Sequence, residues 1–468
     1  MAQELQFVNA ELIKPINMKT YTSIFLILLP LVLESCGQRR PGMSREEAVA
    51  ELEKPVSAKE TCPRPVSSVL DTFATDYCPP AGIRHQPKII RNGIRTFSVA
   101  NALRHIRELK PNEIGVPTVY PTGIKDFQTH VPLVKVENYW LLQGAIGLYL
   151  LNKDFRMERQ LFRNDMEIHQ EGATVVGHAR RIMGPVGYDA SLRMLRAPYR
   201  EYTKRRSGVY VVNLPWDSLL QSSETWTTDD LVGFLPAKGQ SFNTPCVLEK
   251  GHFRLEPFSS RLYTLGMKGD TLCRFIVNGA EDYPPAATYR TAEKSQIYLY
   301  RNKPRFRMAY DNTIYEIEND STLKAIWKLD FGSLKRPSGK YVVENMSNSL
   351  DGYWSVQTVL ETDRYLMLRL AEGYDCPAAR QNNQVRLYTV IQDKQTGESF
   401  SLPSAQDQEG HPVFPNLPFE HKGHLFSGFP YGQTDGQPYL IYNGKQLKAE
   451  VPDLPEIADD ELVLLRIN

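Results

Sequence analysis

TIYEIENDSTLKAIWKLDFGSLKRP, Thr313 to Pro337, decides how the rest of the chain is read. Two runs rich in β-branched and aromatic residues flank the polar turn Asn319-Asp320-Ser321. Gly332 and Pro337 stop the second run, so the stretch reads as a β-hairpin. Five other stretches share its form: a strand with a central tyrosine, a turn carrying Asn, Asp or Gly, and a return strand. Tyr149, Tyr210, Tyr263, Tyr388 and Tyr442 mark them as Tyr315 marks this one, at intervals of roughly 50 to 75 residues. Further strand pairs precede the hairpins, as in 351–371 and 420–430. The expectation is an all-β chain forming a six-bladed β-propeller of four-stranded antiparallel blades over residues 121–468. Thr313–Pro337 would be the outward half of the fourth blade, and Glu461–Asn468 would supply the strand that closes the first. A single such sheet cannot bury both of its faces, whereas six set radially cover one another. Two unrelated β-sandwich domains are the alternative, and they would make the six similar hairpins a coincidence.

Composition agrees with that reading. The chain has 468 residues, 41% hydrophobic and 23% charged, enough to bury a sizeable core. Its 32 Pro, 30 Gly, 24 Tyr and 19 Phe suit many short strands better than long helices. With 55 basic and 54 acidic residues the net charge is +1, so a polyanion gains no general attraction and nucleic acid is not an expected partner.

The N-terminus implies an address. From Met18, MKTYTSIFLILLPLVLESCG carries Lys19 ahead of an apolar run, Ile24 to Leu33, which has signal-peptide form. The run is shorter than the roughly 20 residues of a spanning helix and contains Pro30. Glu4 and Glu11 lie where a signal peptide carries positive charge, so translation is expected to start at Met18, with 1–35 removed. Leu33, Ser35 and Cys36 resemble a bacterial lipobox, from which Glu34 departs. That resemblance implies lipid on Cys36, a membrane partner through the anchor, and an outer-membrane lipoprotein of the cell envelope facing the periplasm or the surface. Residues 36–120 then form a lipidated tether and a partly helical N-terminal extension. Ser44 caps one helix, and Val99, Leu103, Ile106 and Leu109 give 97–109 helical spacing. In an oxidising compartment Cys62 and Cys78 can pair across a Pro-rich segment. Cys246 and Cys273 are bridged or simply buried thiols, and Cys376 has no evident partner.

DNTIYEIENDSTLKAIWKLDFG followed by RP, the strand ETDRYLMLRL and the lipobox together resemble the secreted bacterial six-bladed β-propeller lipoproteins of unknown function, whose architecture is NHL-like. Tyr315, Ile317, Asp320, Leu329, Asp330, Phe331 and Gly332 occupy that group's hairpin pattern. The resemblance covers roughly 120–468 and implies a fold and a location. It carries over no catalytic or binding residues. The longer N-terminal region and Glu34 depart from the group.

The chemistry-bearing motifs are sparse. No Gly-x-Ser-x-Gly elbow occurs, and Gly332–Lys340 has the wrong glycine spacing for a phosphate loop. His411, His421 and His424 read as a polar loop rather than a metal site, and no Cys-x-x-Cys or His-Glu-x-x-His is present. No cofactor and no metal are expected. The carboxylate pairs Asp229/Asp230, Glu281/Asp282 and Asp459/Asp460 sit in turns and read as solvated charge. Arg196–Gly208 interleaves basic residues with tyrosines, so Tyr199, Tyr202, Arg205 and Arg206 are candidates for contacting an anionic or sugar-like ligand, against a plain reading as an exposed inter-blade loop. Trp226, in the polar segment SSETWTTDD, is a candidate aromatic contact. The function these features support is a lipid-anchored, non-enzymatic binding or interaction module. It would use the propeller's loop face for a glycan, a small molecule or an envelope protein. A carbohydrate-active hydrolase or lyase with a site at the axis is the alternative, and a structural subunit of an envelope complex is a third reading.

Overall fold

The computed structural model describes residues 87–125; 133–231 with breaks at 172–173, 183–185, 191 and 203–206; strands between 235 and 276; and 293–468 with breaks at 294, 302, 338–351, 375 and 455. Chain contacts separate 1–78 with 169–176 from 79–168 with 177–468. Only strand ends of the former are described, and the body of the fold lies in the latter. Cys36, Cys62, Cys78, Arg205 and Arg206, the signal segment and the helix capped by Ser44 lie outside the described residues.

Thr313–Asn319 and Thr322–Asp330 form the expected hairpin, with Asn319 opposite Thr322. The Asn319 side chain closes the turn by accepting from the Ser321 amide at 3.0 Å. Lys303–Arg307 and then Gln296–Tyr300 extend the meander. Among the described residues this is the fourth of six sheets with four strands or more; in chain order the others span 134–163, 165–236, 247–276 and 354–401, and the last combines 432–467 with 117–121. The four α-helices among the described residues have five to seven residues each. The fold is all-β and of propeller type, built from small, mostly antiparallel sheets.

Apolar faces hold neighbouring sheets together. Leu148, Leu150 and Phe162 of the first sheet share a core with Leu195, Tyr199 and Val212 of the second. Phe275 of the third meets Phe306, Tyr315 and Leu323 of the fourth. The opposite face of the fourth sheet presents Ile314, Trp327 and Leu329 to Val356, Leu366 and Leu368 of the fifth. Met367 and Ile391 of the fifth pack on Val463 and Leu465 of the last. Tyr439, Leu462 and Leu464 of the last sheet return to Trp140, Leu142 and Tyr149 of the first. Each fully buried Leu, Val or Phe contributes about 1.5–3 kcal/mol.

Several expectations are corrected. Leu462–Ile467 does not complete the first sheet; it lies in the last, between Gln437–Asn443 and Pro117–Pro121. Closure therefore comes from an N-terminal strand added to a C-terminal sheet. The sheets are not uniformly four-stranded and antiparallel, because the second has six strands and Lys88–Ile90 and Arg95–Ser98 join the fourth in parallel. The sixth tyrosine hairpin has no immediate return strand: Asn443 accepts from the Gln446 amide at 2.7 Å and caps a helix, Gly444–Glu450, as its helix-forming composition favours. Ser207–Pro215 pairs with Met194–Tyr202 before it and leads into a helix, Trp216–Gln221. Arg196–Tyr202 is accordingly a strand, not an exposed loop. Leu417–His421 and His424–Gly428 form a separate two-stranded ribbon. The helix expected over 97–109 runs only from Val99 to Arg104, since Phe97 is drawn into a parallel strand and Ile106 is 69% exposed.

Candidate functional site

At the end of the strand Gln296–Tyr300 the fourth sheet carries a cavity of about 430 Å³, and Glu361 and Asp363 of the neighbouring fifth-sheet segment pair with arginines of its lining. Gly93, Arg95, Tyr300, Arg301, Lys303, Arg305, Glu316, Lys324 and Ile326 line it. Sheet register explains the set. Tyr298, Arg305, Glu316 and Lys324 stand opposite one another on four adjacent strands, and so form one row on one face. Ile314 pairs with Trp327 and Glu316 with Lys324, leaving Ile326 without a partner in the ladder. That bulge keeps Lys324 and Trp327 on the same face although they stand three positions apart.

Glu361, at the end of its strand and fully buried, is the hub beneath the cavity. It accepts from Tyr298 Oη at 3.0 Å, Trp327 Nε1 at 3.1 Å and Lys394 Nζ at 3.3 Å, and also from Arg305 Nη1. Arg95 stands 3.7 Å away. Burial alone would raise its pKa, but Arg305 and Lys394 overcome that and hold the carboxyl below its ordinary range. Burial lowers the pKa of Lys394, an effect Glu361 only partly offsets. Glu316 binds Lys303 at 3.1 Å and Arg305 at 2.7 Å. Asp363 takes Arg301 at 2.8 Å and Tyr300 Oη at 3.1 Å; the Arg301 hydrogen bond is the main reason its pKa lies low. The Asp363 amide donates to Gly436 O at 2.8 Å. Gly436 has φ +84°, and a Cβ there would fall 2.2 Å from the Asp363 carboxylate, so only glycine lets this turn of the last sheet seat Asp363.

Six cations, Arg95, Arg301, Lys303, Arg305, Lys324 and Lys394, thus meet three carboxylates, and Lys324 has no ion-pair partner among the described residues. Cations also cover the aromatic rings. Arg305 and Lys394 lie 4.3 and 4.6 Å from the centre of the Tyr300 ring, and Arg95 lies 3.9 Å from that of Trp327. The cleft presents positive charge and N–H donors rather than bare π faces.

The residues singled out from sequence lie elsewhere. Tyr199 is 2% exposed, within the core between the first two sheets. Trp226 packs against that core, and its backbone exchanges hydrogen bonds with Leu161 and Arg163. Tyr202 ends the strand Met194–Tyr202. Cys273 and Cys376 are buried. His421 and His424 face each other across a two-residue turn, and His424 pairs with Asp453 at 3.1 Å. Among the described residues no group of three or more His, Cys, Asp or Glu could hold a metal. Within the same residues no helix is long and apolar enough to cross a membrane. The cleft escaped sequence reading because its residues come from 93–95, 300–326, 361–363 and 394. The one local sign was the dense cationic run Arg301-Asn302-Lys303-Pro304-Arg305.

Fold and cleft together define an all-β protein of propeller type with a charged site on its fourth sheet. The chain belongs to the DUF4933 family, described as a domain of unknown function, whose profile matches residues 80–453. Among solved structures it is similar to a member of the DUF4221 family from Bacteroides vulgatus, at 9% identity and TM-score 0.36, covering 77% of this chain and 98% of that one. It is also similar to a streptogramin B lyase, at 12% identity and TM-score 0.31, covering 77% and 100%. No curated protein matches the chain.

Proposed function

We propose that this protein is a lipid-anchored, non-enzymatic binding module of the bacterial cell envelope, and that its ligand is an anionic small molecule or an acidic sugar held in the cleft on the fourth sheet. The observation that carries the reading is the excess of cations over carboxylates in an open cavity of about 430 Å³, within the size range of small-molecule sites. The capped rings of Tyr300 and Trp327 favour an oxyanion over a neutral sugar, which binds by stacking on open aromatic faces. Glu361 and Asp363 are both held in their ionised form, so neither is a ready proton donor, and this favours binding over hydrolysis. The scaffold in this reading is a propeller-type ring of small sheets, supported by the cores that join the first sheet to the second, the third to the fourth, the fourth to the fifth, the fifth to the last and the last to the first.

Calorimetric titration of the full chain in detergent with a glucuronate disaccharide, its sulfated form and a neutral disaccharide tests the ligand class. The acidic sugars are expected to bind and to weaken as salt is raised. Lys324→Gln, which breaks no described ion pair, is expected to cost about tenfold in affinity and to change stability by less than about 0.5 kcal/mol. Equal binding of the neutral sugar, or none by the acidic ones, would overturn the reading. The anchor is tested separately. Cys36→Ala is expected to release the chain from the membrane fraction and to abolish labelling by fatty acid, and a variant that stays membrane-bound refutes lipidation at Cys36.

A further inference from the structure

Arg369, on Tyr365–Glu372 of the fifth sheet, points the same way as Tyr365 and Met367, toward the last sheet. Its guanidinium lies between two aromatic rings, 4.1 Å from the centre of Phe429 and 5.0 Å from that of Phe414. Its one hydrogen-bond partner among the described residues is a neutral oxygen, Asn416 Oδ1, at 2.8 Å from Nη2. Nε is buried and has no partner, and no carboxylate pairs with the group among the described residues. The arginines packed between the fourth and fifth sheets are treated differently: Arg305, Arg307 and Arg336 each have a buried glutamate. Burial with no opposing charge pulls the Arg369 pKa down to about 10, and a guanidinium so far above neutral pH cannot shed its charge to escape the cost. The rim remains open, since Asn416 is exposed and Phe414, Phe429 and Arg369 itself are half-buried.

We propose that Arg369, flanked by Phe414 and Phe429 and oriented by Asn416, is a binding site for a carboxylate, the counter-charge its surroundings lack. A planar carboxylate matches the guanidinium edge, and the two rings shield the pair from water, which strengthens it. The aromatic walls further favour a carboxylate attached to an apolar or planar body, such as the C-terminus of a peptide ending in an apolar residue. This site is separate from the cleft and stands whether or not the cleft binds a ligand.

The test is the side-chain Nε–Hε resonance of Arg369 in the full chain labelled with 15N-arginine, assigned by its disappearance in Arg369→Lys. Acetate, glucuronate, and Gly-Phe with a free or an amidated C-terminus are titrated in turn. A saturable shift with each carboxylate is expected, with the free-acid dipeptide binding about tenfold or more tightly than its amide. If glucuronate outcompetes the dipeptide, the source is a sugar acid rather than a peptide end, and the carboxylate site stands. No saturable shift with any carboxylate, or equal binding of the amidated peptide, overturns the proposal and leaves Arg369 as packing. Asn416→Ala, which removes only the orienting oxygen at an exposed position, keeps the test decisive should Arg369→Lys fail to fold. It is expected to weaken the dipeptide severalfold, and an unchanged affinity counts against the site.

Discussion

Glu361→Ala is expected to lower the free energy of unfolding by about 3–5 kcal/mol, the range seen when one partner is withdrawn from a buried ionic group. Five groups depend on that carboxylate. Tyr298, Trp327, Arg305 and Lys394 donate to it, and Arg95 stands beside it. Arg305 keeps Glu316, but Lys394 has no other carboxylate among the described residues. It is therefore left as a buried ammonium whose remaining described contacts are with Tyr300. Glu361→Gln keeps an acceptor for Tyr298 and Trp327 while losing the charge, so a smaller loss in the same direction is expected. Urea unfolding followed by tryptophan fluorescence reads both variants. A Glu361→Ala loss below about 1 kcal/mol would mean that water already satisfies the cluster and that the cleft floor is not held by this residue.

The second large effect is expected at Glu293, which precedes the strand Gln296–Tyr300 and joins the same two sheets where their strands begin. It accepts from Arg336 at 3.0 Å, from the amides of Val356 and Tyr310 at 2.7 Å each, and from Arg307. Burial opposes its ionisation, yet Arg336 and Arg307 carry its pKa down to about 2. An unfolded glutamate titrates near 4.5, so between those values the unfolded chain binds more protons than the folded one. Stability contributed by Glu293 is therefore fully present above about pH 4.5 and is lost as pH falls toward 2, by about 3 kcal/mol in all. Asp311 acts in the opposite sense. Burial pushes it up to about 6, so the folded chain binds the extra proton and stability from this group falls as pH rises from about 4 through 6. Glu293→Gln is expected to be less stable at pH 7 and to lose most of the acid-side slope below pH 4.5. An unchanged slope would assign acid sensitivity to other carboxylates.

Sequence pattern reached the fold further than the site, for a physical reason. Period-two alternation and turn chemistry are local, so the hairpins at 134–163, 261–276, 313–330 and 386–401 were all legible. The helix after Asn443 was missed because a tyrosine strand followed by Gly-Lys-Gln also resembles a turn, and the capping bond of Asn443 depends on backbone geometry. The partner of Leu462–Ile467 was misjudged because pairing across the whole chain leaves no local mark. The cleft is of the same kind: Glu361, Lys394, Arg305 and Arg95 are ordinary charged residues in four distant segments. Tyr199 shows the reverse case, a residue in a basic, polar context that cross-strand pairing with Tyr210 places in a core.

The position of Leu462–Ile467 also sets the order in which the molecule can be assembled. It is hydrogen-bonded on one side to Pro117–Pro121 and on the other to Gln437–Asn443, and the Thr122 hydroxyl donates to Leu462 O at 2.7 Å across a separation of 340 residues. During synthesis Pro117–Pro121 emerges early and must wait, with no strand partner among the described residues, until nearly every other described strand has been made. Pairing at such a sequence distance is slow, and an unsatisfied strand edge invites association between chains. The latch that finishes this sheet thus makes its completion a late event, one that waits on Leu462–Ile467.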